Sequence, residues 1–398
     1  MSNIGVKRAF KYRFYPTHAQ AAELSRTFGC VRKVYNLALA VRTQAWARRE
    51  QVDYDQTSAM LTVWKKTEEL AYLCEVSSVP LQQTLRHLQG AFTNFFAKRA
   101  RYPRFKSRKK SRASAEYTRS AFRFRDGRIT LAKMADPLDI VWSRPLPEGV
   151  EPTRVTVSRD SAGRWFVSML CDDPSVKPLP VTDTAVGVDV GVTHLLTLST
   201  GEKIANPRHE HRERARLGKA QRALSRKAVG NGANRIKARR RVAGIHARIA
   251  DRRRDHLHKL TTRLVRENQT IVIEDLAVRS MVGNHSLARA ISDAAWSQFR
   301  SLLEYKAAWY GREVIAVDRF FPSSRLCSTC GALQKKMPLG VRTWTCACGT
   351  AHDRDVNAAR NLLAAGLAVT ACGADVRPQR NTPGGQSATK QESPRREP

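Results

Sequence analysis

Four cysteines, Cys327, Cys330, Cys346 and Cys348, fall within 22 residues of a 398-residue chain. Each pair, Cys-Ser-Thr-Cys and Cys-Ala-Cys, is followed by a glycine, and 15 residues separate Cys330 from Cys346. Thiolates paired on two short turns close a tetrahedral zinc site, and the glycines let the backbone fold back toward the metal. The second pair has one residue between its ligands where a zinc ribbon has two, so its turn must be tighter. Four protein ligands leave no open position for water, which makes such a zinc structural. His352 is an alternative donor for one of the four places.

A second group is carboxylates set where a sheet would present them. Asp189 interrupts the apolar run Ala185–Val190, and Glu274 ends Ile271-Val272-Ile273. An unpaired acid in such surroundings costs several kcal/mol unless a cation or hydrogen bonds neutralise it. Asp353 and Asp355 open a helical stretch from Val356, where an aspartate is also a favoured N-cap, so at most one of the two need do chemistry. Carboxylates from two strands and a helix start can hold two Mg2+ ions, the arrangement of many phosphodiester-cleaving enzymes. No Walker-type glycine loop or Ser-His-Asp order competes with this reading.

Composition names the partner. Lys plus Arg number 70 against 35 acids, a net of +35, and 50 of the 70 are Arg. Such self-repulsion calls for a polyanion, and the arginine bias suits bidentate grip on phosphates. Two segments concentrate the charge. Residues Lys98 to Arg128 carry 13 cations against two acids, interleaved with Tyr102, Phe105, Tyr117, Phe122 and Phe124, and Pro207 to Arg266 carry 20 against four. Aromatics among cations suit base stacking beside backbone contact. No run reaches the ~18 apolar residues of a membrane span, and the N-terminus has no signal-peptide core. A cytoplasmic, nucleoid-associated chain with reduced thiols is expected, with Cys30, Cys74, Cys171 and Cys372 as small buried side chains.

The elements that must position these residues follow from periodicity. Arg8 to Tyr15 alternates like a half-buried strand and Pro16 ends it. From Thr17 to Lys98 the spacing is helical, with Leu24, Phe28, Val31, Val34 and Leu37 on one face of a first helix. Short strands around Arg154–Val157 and Trp165–Leu170 predict a small antiparallel barrel or sheet. Three prolines between Pro174 and Asp183 read as a linker into an α/β domain. There Ala185–Val190 and Leu195–Thr200 pair as strands, and Gly230 to Gly232 breaks the basic segment into two helices. Thr270–Ile273 and Glu313–Val317 are strands, and Ala290–Trp309 reads as one helix. From Gly373 the composition predicts disorder.

Taken in order, the segments AVGVDVGVTHLLTLSTG, IVIEDL, FFPSSRLCSTCG and VRTWTCACGTAHDRDVNAARN resemble the TnpB proteins of insertion sequences. FKYRFYP, FGCVRKVYN and LQGAFTNFFAKRARYPRFKSR extend the likeness over nearly the whole chain. The resemblance implies an α+β multidomain protein: a wedge β-barrel (1–16 and 114–180) with an inserted helical recognition domain (17–113), and an RNase H-like RuvC domain (183–325 and 350–372) with an inserted zinc ribbon (326–349), before a disordered tail (373–398). It implies an RNA-guided DNA endonuclease whose guide RNA pairs with the target, while the protein reads a short adjacent motif. Asp189, Glu274 and Asp355 match the family's Mg2+-holding catalytic acids, and Asp353 becomes a structural neighbour. Cys327, Cys330, Cys346 and Cys348 match its zinc ligands. Tyr54, Ser78, Val79 and Gln82 match its motif-reading positions, and Arg325, just before the cysteine turns, is either a contact to the scissile phosphate or a surface arginine. A nuclease-inactive RNA-guided repressor and a protein-only transposase are the competing classes; the retained acids weigh against the first.

Overall fold

The computed structural model describes residues 6–371 apart from Asn231, Lys336 and Leu339. Within them the chain divides into two compact units between Ser175 and Val176. The expected disordered tail, and with it Cys372, lies outside the described residues.

The first unit begins with β1 (Val6–Phe14), whose alternation buries Phe10, Tyr12 and Phe14 and turns Lys7 and Lys11 outward. A capping box joins Thr17 and Gln20 at the start of α1 (His18–Ala47), satisfying backbone donors that the first helical turn leaves unpaired. Its buried face holds Leu24, Phe28, Val31 and Val34, then passes to Ala38 and Leu39. Leu37 is only half-buried, because a 3.6-residue period carries the stripe from Val34 to Ala38. Asp53 and Gln56 cap α2 (Tyr54–Trp64) in the same way. A short 3-10 turn (Glu68–Cys74) leads to α3 (Ser78–Phe96).

Strands β2 (Ala113–Thr118), β3 (Phe122–Arg125), β4 (Arg128–Leu131), β5 (Ile140–Val141), β6 (Pro152–Arg159) and β7 (Trp165–Asp173) complete the unit. Four of them join β1 in an antiparallel sheet of order β2-β6-β7-β1-β5, and β3–β4 is a separate hairpin. The barrel expected here is an open sheet in the described residues. Closure needs a ladder between the edge strands β2 and β5, and β5 is two residues long. The helices and the sheet share one apolar cluster, in which Phe14, Leu24, Leu81, Leu85, Val155 and Val167 are fully enclosed.

The second unit is a mixed α/β layer structure. Its sheet comprises β8 (Ala185–Val190), β9 (His194–Leu198), β10 (Lys203–Ala205), β11 (Thr270–Glu274) and β12 (Glu313–Val317), in the order β10-β9-β8-β11-β12. The first three run antiparallel; β8, β11 and β12 run parallel. The basic segment forms α4 (His209–Ser225) and α5 (Ala233–Glu267), paired through a narrow stripe of Leu217, Ala220, Ile245 and Ile249. The short α6 (Val278–Met281) follows β11.

The single helix expected over Ala290–Trp309 is two, α7 (Ala288–Ala294) and α8 (Trp296–Tyr310), broken at Ala295 where φ is +55°. The break lets Ile291 and Phe299 both reach the core. It also aims Asp293 at the start of α4, where its carboxylate accepts from the Glu210 amide at 3.0 Å and pairs with Arg253 at 2.7 Å.

Leu257, Leu264, Phe299 and Leu303 of α5 and α8 belong to the same apolar cluster as Val188 and Ile273 of the sheet. Residues of β13 (Thr343–Thr345) and β14 (Ala351–Asp353) form a small hairpin that runs directly into α9 (Arg354–Ala371). Leu362 of α9 joins Val272, Ile315 and Val317 in a separate cluster. Cys30 and Cys171 are buried as expected, whereas Cys74 is exposed. No described helix is long and apolar enough to cross a membrane.

Candidate metal centres and nucleic-acid-reading face

Parallel pairing aligns two of the three acids. Ile273 of β11 lies opposite Val188 of β8. The next residues, Glu274 and Asp189, therefore emerge at the same end of neighbouring strands. The third comes from α9, which lies flush on the sheet because two glycines remove the side chains that would hold it off. A Cβ on Gly187 would sit 1.9 Å from the Ala359 carbonyl oxygen, and one on Gly366 would sit 2.6 Å from both methyls of Val272. Asp355, one turn before Ala359, is thereby brought to the end of β8 where Asp189 stands.

Electrostatics agree with the convergence. The Asp189 carboxyl is pushed up to about 8, first by burial and then by the like charges of Asp355 and Glu274, against a smaller pull from Arg354 and Arg342. Glu274 is also raised, by burial and by Asp275. The neighbouring acids are treated in the opposite way. Burial would raise Asp275, but hydrogen bonds from Arg300 and Arg319 outweigh it and hold the group low. Asp353 is likewise lowered in spite of its burial: Lys203 lies 2.6 Å away, and the same carboxylate accepts from the Val356 amide at 3.0 Å, as an N-cap. Asp355 has Arg342 at 3.4 Å. Like charges brought together are what a divalent ion neutralises, and carboxylates are the donor type that Mg2+ takes.

The four cysteine Sγ atoms lie within 4.8 Å of one another, the one such group of three or more ligand atoms among the described residues. The three acids are thus set wider than the thiols. Gly331 and Gly349, at φ +74° and +86°, make the two turns. In the first turn the Gly331 amide donates to the Cys327 carbonyl, four residues back; in the second the Gly349 amide donates to Cys346, three back. The shortened spacing is absorbed by one tighter hydrogen-bonded turn. His352 is not a fifth member of the set. It is buried, with Nε2 at 3.1 Å from Cys327 Sγ and its ring 4.6 Å from that of Trp344. A four-thiol set of this compactness is compatible with one zinc ion.

The cysteine turns are tied to the acid-bearing helix. Asn357 donates to the Leu326 carbonyl at 2.7 Å and accepts from the Ser328 amide at 3.0 Å. Asn361, one turn on, donates to the carbonyls of Leu326 and Ser323 at 2.6 and 2.8 Å. Arg325 stands half-buried inside this same loop. The sequence reading missed both asparagines, although two buried amides at i,i+4 spacing are a signal. It also missed Gly187 and Gly366, for which the strand and helix patterns carry no mark.

In the first unit, Ser78 and Gln82 are exposed on the first turns of α3, while Val79 packs partly into the core. One turn further along the Ser78–Gln82 row stands Arg86, which lies over the Tyr54 ring at 5.3 Å and donates from Nε to its hydroxyl at 3.2 Å. Ser78, Gln82, Arg86 and Tyr54 thus form one polar row. Arg86 is a member that the sequence reading did not supply. Amide and guanidinium groups on one exposed helix face are the donors that reach base edges in a major groove.

Three family models match the chain: a "Helix-turn-helix domain" over residues 1–51, a "Probable transposase" over 155–285 and a "Cas12f1-like, TNB domain" over 296–362. A Streptomyces pristinaespiralis protein named "Putative RNA-guided DNA endonuclease" is 70% identical over 98% of this chain and 97% of its own. An Escherichia coli K12 protein named "Putative RNA-guided DNA endonuclease InsQ" is 35% identical over 92% of this chain and 94% of its own. The fold is similar to that of Cas12f1, seen by cryo-EM in an sgRNA–target DNA complex. That match has a TM-score of 0.55 and 13% identity, and it covers 91% of this chain and 99% of the other. On this similarity along its whole length, the chain belongs to the TnpB family.

Proposed function

We propose that the chain is an RNA-guided DNA endonuclease that binds a guide RNA and cuts double-stranded DNA at a single RuvC-like site. The observation that carries this reading is the electrostatic one. Asp189 is raised first by burial and then by two other carboxylates, while Asp275 and Asp353 beside them are paired and lowered. A fold that stabilised every acid for its own sake would have paired all of them. The names of the 70% and 35% identical relatives support the same activity.

Asp189, Glu274 and Asp355 would hold two Mg2+ ions. Bound there, such ions supply a lowered pKa for water and charge stabilisation at the leaving 3′ oxygen. The chain's own residues then act around them. Gly187 and Gly366 fix the helix carrying Asp355, Asp353 caps it, and Arg300 and Arg319 neutralise Asp275 so that Glu274 faces one fewer free charge. Arg325, held in the loop before the first cysteine turn, is assigned to the scissile phosphate. A structural zinc on Cys327, Cys330, Cys346 and Cys348 would lock that loop to α9. The basic surfaces grip the RNA backbone, base pairing selects the target, and the row of Tyr54, Ser78 and Gln82 beside Val79 reads the adjacent motif. The site of action is the cytoplasm, at the nucleoid.

The test is plasmid cleavage by protein purified with its RNA. Linear product is expected with Mg2+ and a matched target, and none with EDTA or a mismatched guide. Asp189→Ala should retain the RNA and lose cutting by roughly 10³-fold or more, the scale of removing a charge-stabilising group. Undiminished cutting by that variant refutes the assignment.

A further inference from the structure

The first unit carries a cavity of about 460 Å3 that the motif-reading row and the metal centres leave unused. Its walls come from the ends of α1 and α3 and the loop before α2. Trp46 and Phe96 are 60% and 57% exposed there, although each is a large apolar ring. They stand 5.9 Å apart, and behind them Phe92, Phe95 and Tyr102 form edge-on and stacked contacts at 5.2–6.2 Å. The aromatic wall is therefore rigid.

The floor is a planar cation. Arg42 lies 4.6 Å over the Phe92 ring, with Nε donating to the Val52 carbonyl at 2.6 Å and Nη2 to Gln89 Oε1 at 2.7 Å. A guanidinium pinned flat in this way offers a face to another π-system. The rim, by contrast, carries Glu50, Gln51 and Asp53. In a chain with 70 cations and 35 acids, two carboxylates beside an open aromatic cavity repel a phosphate. Glu50 pairs through Oε2 with Arg48 at 3.2 Å and Asp53 Oδ1 caps α2, so it is the second oxygen of each that can accept from an amino or hydroxyl group. Exposed cations begin immediately beyond, at Lys98, Arg99, Arg101 and Arg104.

We propose that this cavity binds one unpaired, amino-bearing nucleotide of RNA. The base stacks on Trp46 and Phe96, its exocyclic amino group and ribose 2′-hydroxyl donate to the carboxylate rim, and its flanking phosphates meet the cations that follow α3. The occupant must be unpaired, because a base in a duplex offers no free face, and it must be RNA for the 2′-hydroxyl to be read. The inference rests on the reading of the chain as an RNA-binding protein and adds a base-specific subsite to it.

The test uses RNA-free, zinc-retaining full-length protein and fluorescein-labelled eight-nucleotide rA, rU and dA oligomers at one fixed salt concentration. Wild type should bind rA more tightly than rU or dA. Trp46→Ala should weaken rA binding roughly tenfold, the scale of one lost base–aromatic stack. Trp46→Phe should restore most of it, and melting temperatures should be unchanged because the side chain is exposed. Equal binding of rA by wild type and Trp46→Ala, or of dA and rA by wild type, overturns the proposal. If RNA-guided cleavage proceeds normally in that event, the functional reading survives and only the subsite is lost. If no RNA binds at all, both fall.

Discussion

Each unit places an aspartate at or near the end of a strand, and the two are treated oppositely. Asp173 closes β7 in the first unit with its side chain wholly buried, 3.0 Å from Arg8 Nη1 and accepting from the Ser175 amide and hydroxyl. Burial alone would raise it, but these partners outweigh burial and hold it below the usual carboxylate range. Asp189, near the end of β8 in the second unit, is pushed up to about 8, first by burial and then by two further carboxylates. A paired acid stabilises the fold it belongs to. A gathered, under-neutralised set lowers stability and is retained where a cation is to be bound.

Outside the three acids themselves, the largest expected effect comes from breaking their gathering. Gly187→Val inserts side-chain atoms where a single Cβ already falls 1.9 Å from the Ala359 carbonyl. The helix must lift, taking Asp355 from Asp189. Cleavage should fall by at least roughly 10²-fold, with ~2–3 kcal/mol of overpacking cost in denaturant melts; normal cleavage would show that α9 need not lie flush. Next comes Asp173→Ala, which removes the ion pair with Arg8 and the bonds to Ser175. A loss of ~2–3 kcal/mol is expected with RNA binding intact once the protein is folded.

The pH dependence separates the two aspartates further. The lowered Asp173 contributes stability at pH values above the unfolded carboxylate value of about 4, and that contribution is lost as pH falls through its depressed native value. The raised Asp189 works in reverse. In Mg2+-free, zinc-retaining protein the folded state keeps a proton that the unfolded chain releases, so stability declines as pH climbs from about 4 towards about 8. Asp189→Asn should flatten the upper part of a melting-temperature profile and leave the acid limb unchanged. A profile identical to wild type would mean the three acids do not interact. The smallest effect is expected from Asp353→Ala. Losing the cap of α9 and the pair with Lys203 should cost ~1 kcal/mol and only several-fold in cleavage, in contrast to Asp355→Ala.

The elements that were legible in the sequence are those whose signal is local. Alternation in β1, the apolar runs of β8 and β11 and the two cysteine turns each announce themselves within a few residues. What was not legible depends on partners far along the chain. The break at Ala295 goes with a contact from Asp293 to the start of α4, across 83 residues. The open sheet follows from how short β5 is. Arg86 acquires a role only once Tyr54 is beside it, and Gly187 only once α9 crosses β8.

The central claim is that Asp189, Glu274 and Asp355 jointly bind the divalent ion. Calorimetric titration of zinc-loaded protein with Mn2+ tests it most directly. Saturable binding is expected to tighten between pH 6 and pH 8 as the proton on Asp189 is displaced, and to vanish in Asp189→Asn. Unchanged Mn2+ affinity in that variant, with no pH dependence in wild type, would contradict the account.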